Sequence, residues 1–132
     1  VLRRRPAGRP VAEDFELVER RLPPPQDGEV LVQLDYLGLE PAARPRLNAD
    51  SAYSTPTPLG APVFATAVGT VLESRAAGFA PGDPVFAMAG WQTHLVASPA
   101  ALRRIDTRLA PPIRWLSLLG LSSFTAWIGI TE

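Results

Sequence analysis

The chain of 132 residues has no cysteine, no lysine and a single histidine, His94. Without cysteine these residues can form no disulfide and offer no thiol nucleophile or thiolate metal ligand. Without lysine they offer no Schiff-base chemistry. Zinc is normally held by four nitrogen or sulfur ligands, or by three and a water, so one histidine leaves no plausible zinc site. His94 could act as a general acid, but the sequence places no carboxylate or nucleophile near it, so a place on a strand surface is the simpler explanation.

Strong net charge and long apolar runs are also missing. Acidic and basic residues balance at 13 each, so nothing favours nucleic acid or an anionic lipid surface as a partner. No apolar run approaches the roughly 18 residues of a membrane span. Residues 1–6 are charged but are not followed by the apolar core of a secretory signal. We therefore expect a cytoplasmic protein with no nucleic-acid partner and no membrane partner.

The clearest structural signal is a turn at residues 78–86, in a chain with 15 prolines and 10 glycines. Pro81 fixes φ at about −65°, Gly82 can adopt a positive φ without a steric clash, and the Asp83 carboxylate can accept hydrogen bonds from backbone N–H groups of the turn. Apolar runs lie on both sides of it. We predict that this turn joins two core strands.

The clearest single strand lies upstream of that turn. Residues 29–37 alternate regularly, which predicts a strand with Val30, Val32, Leu34 and Tyr36 on one face. That face carries the larger apolar side chains. We therefore expect these four residues to lie in the core and the other face to be turned away from it.

Weaker patterns predict the remaining elements. Residues 15–20 alternate well enough for an edge strand, and residues 98–102 favour a short helical turn. Apolar residues at helical spacing predict a helix over residues 113–119 that ends at Gly120. A second helix follows within residues 122–130, with its N-cap at one of the two serines that open it.

The order of these motifs is more informative than any one of them. A G-E-V-L-V strand is followed by a G-T-V strand, then by G-F-x-x-G-D-x-V and by G-W-x-x-H. This order resembles the N-terminal, GroES-like half of medium-chain dehydrogenases/reductases. The resemblance is greatest to their zinc-independent alkenal/one branch, which includes leukotriene B4 dehydrogenase and prostaglandin reductases.

The resemblance implies both a fold and a division of the chain. The fold is mainly β with short helices, a GroES-like, partly open β-barrel that ends in helices leading into a Rossmann domain absent from this chain. Residues 1–120 would form the substrate-side domain, and residues 121–132 the start of the connecting helix. No G-x-G-x-x-G phosphate loop occurs in these residues.

One short segment carries most of the implied substrate site. The sequence L-E-P-A-A-R-P-R-L resembles the family segment V-D-P-Y-M-R-G-R-M, which lies beside the nicotinamide and the substrate. Glu40 stands at the family's Asp, whereas Ala42 and Ala43 replace the Tyr and Met that line the site. The pocket is then wider, serves another substrate or is vestigial. Arg44 and Arg46 also match the pattern, although surface ion pairing would explain them.

Three further residues are implied as site residues. Tyr53 falls near a family tyrosine that reaches the substrate, although it could be an ordinary exposed side chain. Trp91 could touch the substrate cleft or cap the barrel. Thr125 lies in G-L-S-S-F-T-A-W-I-G-I, which resembles the family's G-M-P-G-L-T-A-Y-F-G-L, and matches a threonine that approaches the cofactor. A helix packed against the barrel explains Thr125 as well.

Two functions follow from these observations. The first is the substrate-side domain of an NADPH-dependent oxidoreductase that reduces the C=C bond of α,β-unsaturated carbonyls. Its partners would be the small-molecule substrate, a Rossmann domain in cis or in trans, and a second copy in a homodimer. The second is a non-catalytic GroES-like binding or assembly module that has lost its cofactor domain. In either case we expect these residues alone to be inactive and to bind no nucleotide, and we assign no catalytic side chain.

Overall fold

The structure is a computed structural model that describes residues 1–50 and 54–132. Its strands form one antiparallel sheet and are β1 (Val30–Gly38), β2 (Phe64–Ser74), β3 (Pro84–Gly90), β4 (His94–Ala97) and β5 (Leu102–Arg104). Their order across the sheet is β4-β1-β2-β3-β5, so β4 and β5 are its edges. The sheet curls into a half-barrel, which confirms the mainly β, partly open barrel expected from the sequence.

Short helices connect the strands of the sheet and follow it. The described residues contain the α-helices α1 (Ala43–Arg46) and α2 (Leu121–Thr131) and the 3-10 helices Ala12–Asp14, Pro99–Ala101 and Pro112–Leu116. The second 3-10 helix confirms the helical turn expected just before β5. No helix in the described part of the chain is long and apolar enough to cross a membrane.

The predicted edge strand at residues 15–20 is wrong. Phe15 makes a single antiparallel bridge to Leu2, and the residues after it join no strand. One bridge pairs too little backbone to form a ladder. The start of the segment is held by backbone bonds between Glu16 and Val1, and its end by the Arg20 guanidinium, which donates a hydrogen bond of 2.9 Å to the carbonyl of Gly60.

The helix predicted over residues 113–119 is also wrong in its extent. Only Pro112–Leu116 is helical, and it is a 3-10 helix rather than an α-helix. The helix ends there because Ser117 adopts φ −125° and ψ −94°, which are not helical angles. The N-cap of α2 is Gly120 in an extended conformation, not one of the serines. Ser123 has another role, because its hydroxyl donates to the carbonyl of Ser117 at 3.1 Å and ties α2 to the preceding turn.

The core face of β1 is as predicted for three of its four residues. Val30, Val32 and Leu34 are buried in the main apolar cluster, whereas Tyr36 is 48% exposed. The register explains the error: Leu34 pairs with Gly69 and Tyr36 with Val68, so Asp35 between them is a β-bulge. Because a bulge adds one residue to one strand, the alternation shifts and Tyr36 points to the opposite face.

The turn between β2 and β3 has the predicted chemistry. Gly82 has φ +90°, which favours glycine. The Asp83 carboxylate accepts a hydrogen bond of 2.9 Å from the backbone N–H of Ala80 and forms an ion pair of 3.0 Å with Arg104 of β5. Val71 exchanges backbone bonds with Gly82 and Asp83. The turn thus connects three neighbouring strands of the sheet.

A second apolar cluster joins the N-terminal segment and the α1 region to the sheet. Leu2, Leu47 and Val63 are buried in it, and Phe15, Ala43 and Trp91 pack against them. The ring centroids of Phe15 and Trp91 are 5.2 Å apart. Trp91 is therefore partly buried and packs against this cluster, in agreement with the interpretation that it caps the barrel.

We expect Trp91→Ala to lower the free energy of unfolding by about 3 kcal/mol, because it removes a large aromatic from a packed cluster and leaves a cavity. Trp127→Ala is the matched control, since Trp127 is 61% exposed on α2, and it should cost less than about 1 kcal/mol. Urea unfolding followed by circular dichroism measures both. Equal losses for the two variants would contradict the packing role of Trp91.

An ion pair between the exposed Arg4 and the buried Asp14, near the N-terminus, makes folding depend on pH. The Arg4 side chain donates to the Asp14 carboxylate at 2.7 Å, and the backbone N–H of Val11 donates to it at 2.9 Å. These bonds hold the pKa of Asp14 below its usual value, and the first of them contributes most. Since the folded pKa is lowered, the stabilisation is present above the unfolded pKa of about 3.9 and is lost as pH falls through the folded value.

We therefore expect Asp14→Asn to lower the melting temperature at neutral pH and to bring it closer to that of the wild type as the pH drops below about 4. Thermal unfolding across this pH range tests the expectation. Asp50→Asn serves as the control, because the side chain of Asp50 is exposed. If the melting temperatures of Asp14→Asn and the wild type differ by the same amount at every pH, the charge of the carboxylate is not the cause of the lower stability.

Candidate functional site

A cavity of about 380 Å³ lies where the α1 region, the outer face of the sheet and the start of α2 meet. Its wall is mostly apolar, with a few polar side chains at one end. Pockets of this size and character are the usual sites of small-molecule binding. We take this cavity as the candidate site.

The sheet wall of the cavity follows from the pairing of β2 and β3. Ala65 and Ala67 are fully buried, so alternation turns Phe64 and Thr66 to the opposite face. On β3, Met88 pairs with Thr66, and both line the cavity. The wall therefore consists of side chains that point away from the main core.

The polar end of the cavity begins where β1 stops. Glu40 lines the cavity, and its carboxylate accepts a hydrogen bond of 2.8 Å from the hydroxyl of Thr66. The carbonyl of Glu40 accepts the N–H of Ala43 at 2.9 Å, which turns the chain into α1. The bond to Thr66 thus fixes the carboxylate against β2, and the turn sets the direction of the residues that follow.

The two alanines of this segment point to different places. Ala42 lines the cavity. Ala43 packs against the buried cluster of Leu2, Leu47 and Val63. Of the two small residues, only Ala42 therefore widens the candidate site directly.

Arg46 brings a positive charge to the same end of the cavity. Its guanidinium carbon lies 4.5 Å from the centre of the Phe64 ring, and one terminal nitrogen donates to the carbonyl of Thr55 at 3.4 Å. Its buried Nε has no hydrogen-bond partner among the described residues. The side chain forms no ion pair within 4.0 Å in that part of the chain. A buried donor without a partner is costly, so this end favours a ligand that brings an oxygen acceptor.

The wall opposite the α1 segment comes from residues after Pro111. Trp115, Leu116 and Leu121 line the cavity together with Gly120. The guanidinium of Arg103 lies 5.6 Å from the Trp115 ring and 5.2 Å from the Phe86 ring. Such cation–π contacts hold the aromatic rings in place.

The other residues expected at the site lie elsewhere. Trp91 lines a separate groove of about 660 Å³ beside Leu17, Leu31 and His94. Tyr53 lies outside the described residues. Thr125 is exposed on α2, one turn beyond Leu121, and its hydroxyl donates to the carbonyl of Leu121 at 2.9 Å. The structure therefore brings together Glu40 and Ala42, with Thr125 beyond the far wall.

Several lining residues were missed by sequence reasoning, namely Phe64, Thr66, Phe86, Met88 and Trp115. The alternation within residues 64–67 contained a signal, because small residues between larger ones mark the core face of a strand. No pattern pointed to Trp115. In the described ranges, no group of three or more His, Cys, Asp or Glu side chains could hold a metal ion.

The sheet is a curled antiparallel half-barrel with a cleft at its outer face. This fold places the chain in the class of GroES-like domains of medium-chain dehydrogenases/reductases. Residues 1–105 match the sequence model of a family described as the N-terminal domain of oxidoreductase. The chain therefore belongs to this family. Its relatives identify the branch as the zinc-independent one that was expected from the sequence.

Three relatives illustrate the similarity. The NADPH-dependent curcumin reductase of Escherichia coli is 34% identical over 132 residues, which is 100% of this chain and 38% of that protein. Prostaglandin reductase 1 of Bos taurus is 32% identical over 130 residues, 95% of this chain and 37% of that protein. The crystal structure of CurA from Vibrio vulnificus in complex with NADPH superposes with a TM-score of 0.90 at 31% identity, over 98% of this chain and 39% of that one. The chain thus spans a little over a third of the length of these relatives.

Proposed function

We propose that the chain is the substrate-side domain of an NADPH-dependent oxidoreductase that reduces the C=C bond of α,β-unsaturated carbonyls. The observation that carries the proposal is the cavity bounded by Glu40, Ala42 and Arg46 on one side and by Leu121 on the other. The relatives named as NADPH-dependent or NADPH-bound support the cofactor. Assembly as a cytoplasmic homodimer, with a Rossmann domain in cis or in trans, is part of the same proposal.

These residues fit the cofactor only in part. They contain no glycine-rich phosphate loop, which is the usual cradle for a pyrophosphate. The Thr125 hydroxyl already donates within α2, so it has only its oxygen lone pairs to offer to a ligand. We infer that this chain supplies one wall of the cleft and that the pyrophosphate is held elsewhere. When bound, NADPH supplies the hydride.

The residues of this chain would orient the substrate and exclude water. Phe64, Met88 and Trp115 form apolar walls around the cavity. The Arg46 guanidinium provides the positive charge that would face the substrate's carbonyl oxygen, where negative charge develops during the reaction. Glu40, held by Thr66, would accept a hydrogen bond from a donor group on the substrate and so fix its direction.

The test is enzymatic and uses the protein that carries this chain. Purified protein is mixed with NADPH and an enone, and the products are identified by mass spectrometry and NMR. We expect the saturated ketone. Formation of the allylic alcohol would contradict C=C reduction. Binding of the enone with no turnover would favour the binding-module alternative.

We also expect the isolated 132-residue chain to bind neither NADPH nor NADH measurably, because it contains no pyrophosphate site. Isothermal titration calorimetry tests this, with the E. coli curcumin reductase as the positive control. Circular dichroism confirms that the chain is folded before each titration. Micromolar binding by the folded chain would contradict the inferred division of the site.

The size of residue 42 should set the preference for small or bulky substrates. Ala42 lines the cavity, so Ala42→Tyr reduces its volume. We expect this variant to raise kcat/KM for a small enal relative to a bulky enone, by about tenfold in the ratio, because a filled cavity holds the smaller substrate in place and rejects the larger one.

The control for that experiment is Ala77→Tyr. Ala77 is exposed and lines neither the cavity nor its neighbours, so the added ring should leave the ratio unchanged. Steady-state kinetics with both substrates measure the ratio for each variant. An unchanged ratio in Ala42→Tyr would show that the enone does not bind beside residue 42.

A further inference from the structure

The candidate site holds two opposite charges that do not pair with each other. Glu40 and Arg46 line the same cavity, yet within residues 1–50 and 54–132 neither of them forms an ion pair. Opposite charges that face one mostly apolar space attract each other strongly, because the surrounding dielectric is low. Their separation therefore needs a structural cause.

Strand β2 provides an anchor for each of the two charges. The hydroxyl of Thr66 donates to the Glu40 carboxylate at 2.8 Å. The ring centre of Phe64 lies 4.5 Å from the guanidinium carbon of Arg46. Phe64 and Thr66 are two residues apart, so their side chains share one face of the strand and are separated by roughly 7 Å along it. The strand thus holds the carboxylate and the guanidinium at two different points.

The bond between Thr66 and Glu40 has room to form because Gly38 has no side chain. Gly38 lies opposite Thr66 in the pairing of β1 with β2. A Cβ atom at Gly38 would collide with the Thr66 hydroxyl and would lie 3.2 Å from the carboxylate oxygen that accepts its hydrogen bond. Gly38 does not have a positive φ. The space beside it, and not its backbone conformation, therefore favours glycine here.

We propose that Thr66 is a positioning residue that keeps the Glu40 carboxylate away from Arg46. While the carboxylate is tethered to β2, the positive charge of Arg46 is available to an oxygen atom of the substrate. Without the tether, the carboxylate turns toward the guanidinium and neutralises it. This inference rests on the proposed function, which assigns Arg46 to the carbonyl oxygen of the substrate.

Two substitutions of Thr66 separate its hydroxyl from its shape. Thr66→Val keeps the shape and removes the donor, whereas Thr66→Ser keeps the donor. In the protein that carries this chain, with benzylideneacetone as the enone, we expect Thr66→Val to lower kcat about tenfold and to change KM less. The reason is that the charge that stabilises the developing oxyanion is neutralised. Thr66→Ser should keep most of the wild-type kcat.

The matched control is Thr70→Val. Thr70 lies on the same strand and also donates to a carboxylate, that of Asp35, at 3.0 Å, but it does not line the cavity. Its substitution should leave kcat unchanged. Equal losses of kcat for Thr66→Val and Thr66→Ser, or for Thr66→Val and Thr70→Val, would overturn the inference.

A double variant shows whether Thr66 acts through Glu40. Thr66→Val is combined with Glu40→Gln, whose neutral amide cannot neutralise Arg46. In this background we expect Thr66→Val to lower kcat less than about twofold, because the two residues act as one unit. A loss of kcat that is the same with and without Glu40→Gln would contradict the proposed role.

Crystal structures of the variants test the inference without a substrate. In Thr66→Val we expect an oxygen of Glu40 within about 4 Å of a guanidinium nitrogen of Arg46. Gly38→Ala should show the same pair, because its methyl group displaces the Thr66 hydroxyl. A carboxylate that keeps its wild-type position in both variants would overturn the inference. A wild type that reduces no enone would overturn the proposed function, and these structures would then decide the inference alone.

Discussion

The close approach of β1 and β2 at Gly69 is the constraint on which the rest of the structure depends. A Cβ atom at Gly69 would collide with the backbone carbonyl of Gln33 on β1, so no other residue fits without moving a strand. The pairing register shifts just beyond this contact, at Asp35. Beyond the bulge β1 stays paired with β2 as far as Gly38, which lies opposite Thr66. Glu40 thereby comes within hydrogen-bonding distance of Thr66.

The same strand β2 forms both the core and the site. Ala65 and Ala67 are fully buried, while Phe64 and Thr66 face the cavity and support the side chains of Arg46 and Glu40. A shift of one residue in the register between β2 and β3 would exchange the two faces. The Asp83 turn protects that register through its bonds to Ala80 and Arg104. The stability of the turn and the shape of the site are therefore coupled through β2.

Sequence reasoning succeeded where a local rule determines structure. The turn at Gly82 and the buried face of β1 up to Leu34 follow from backbone sterics and alternation, and both are confirmed. Sequence reasoning failed where contacts between residues distant in sequence determine the direction of a side chain. The bulge that exposes Tyr36 depends on pairing with β2, and Trp115 lines the cavity because the 3-10 helix that carries it packs near the sheet. The resemblance to the family identified Glu40 and Ala42 as site residues. Met88 in the sheet wall could be identified only from the register between β2 and β3.

The two sides of the cavity are anchored to different degrees within this chain. The near wall is fixed by the bond between Glu40 and Thr66 and by the contact of Arg46 with Phe64. The part of the far wall at Leu121 depends on α2, none of whose residues is buried. An isolated helix of 11 residues is marginal in water, and the bond from Ser123 to Ser117 is a weak tether for it. Specificity at the near wall is thus determined by the sheet, whereas the α2 part of the far wall can adapt to what is bound beside it.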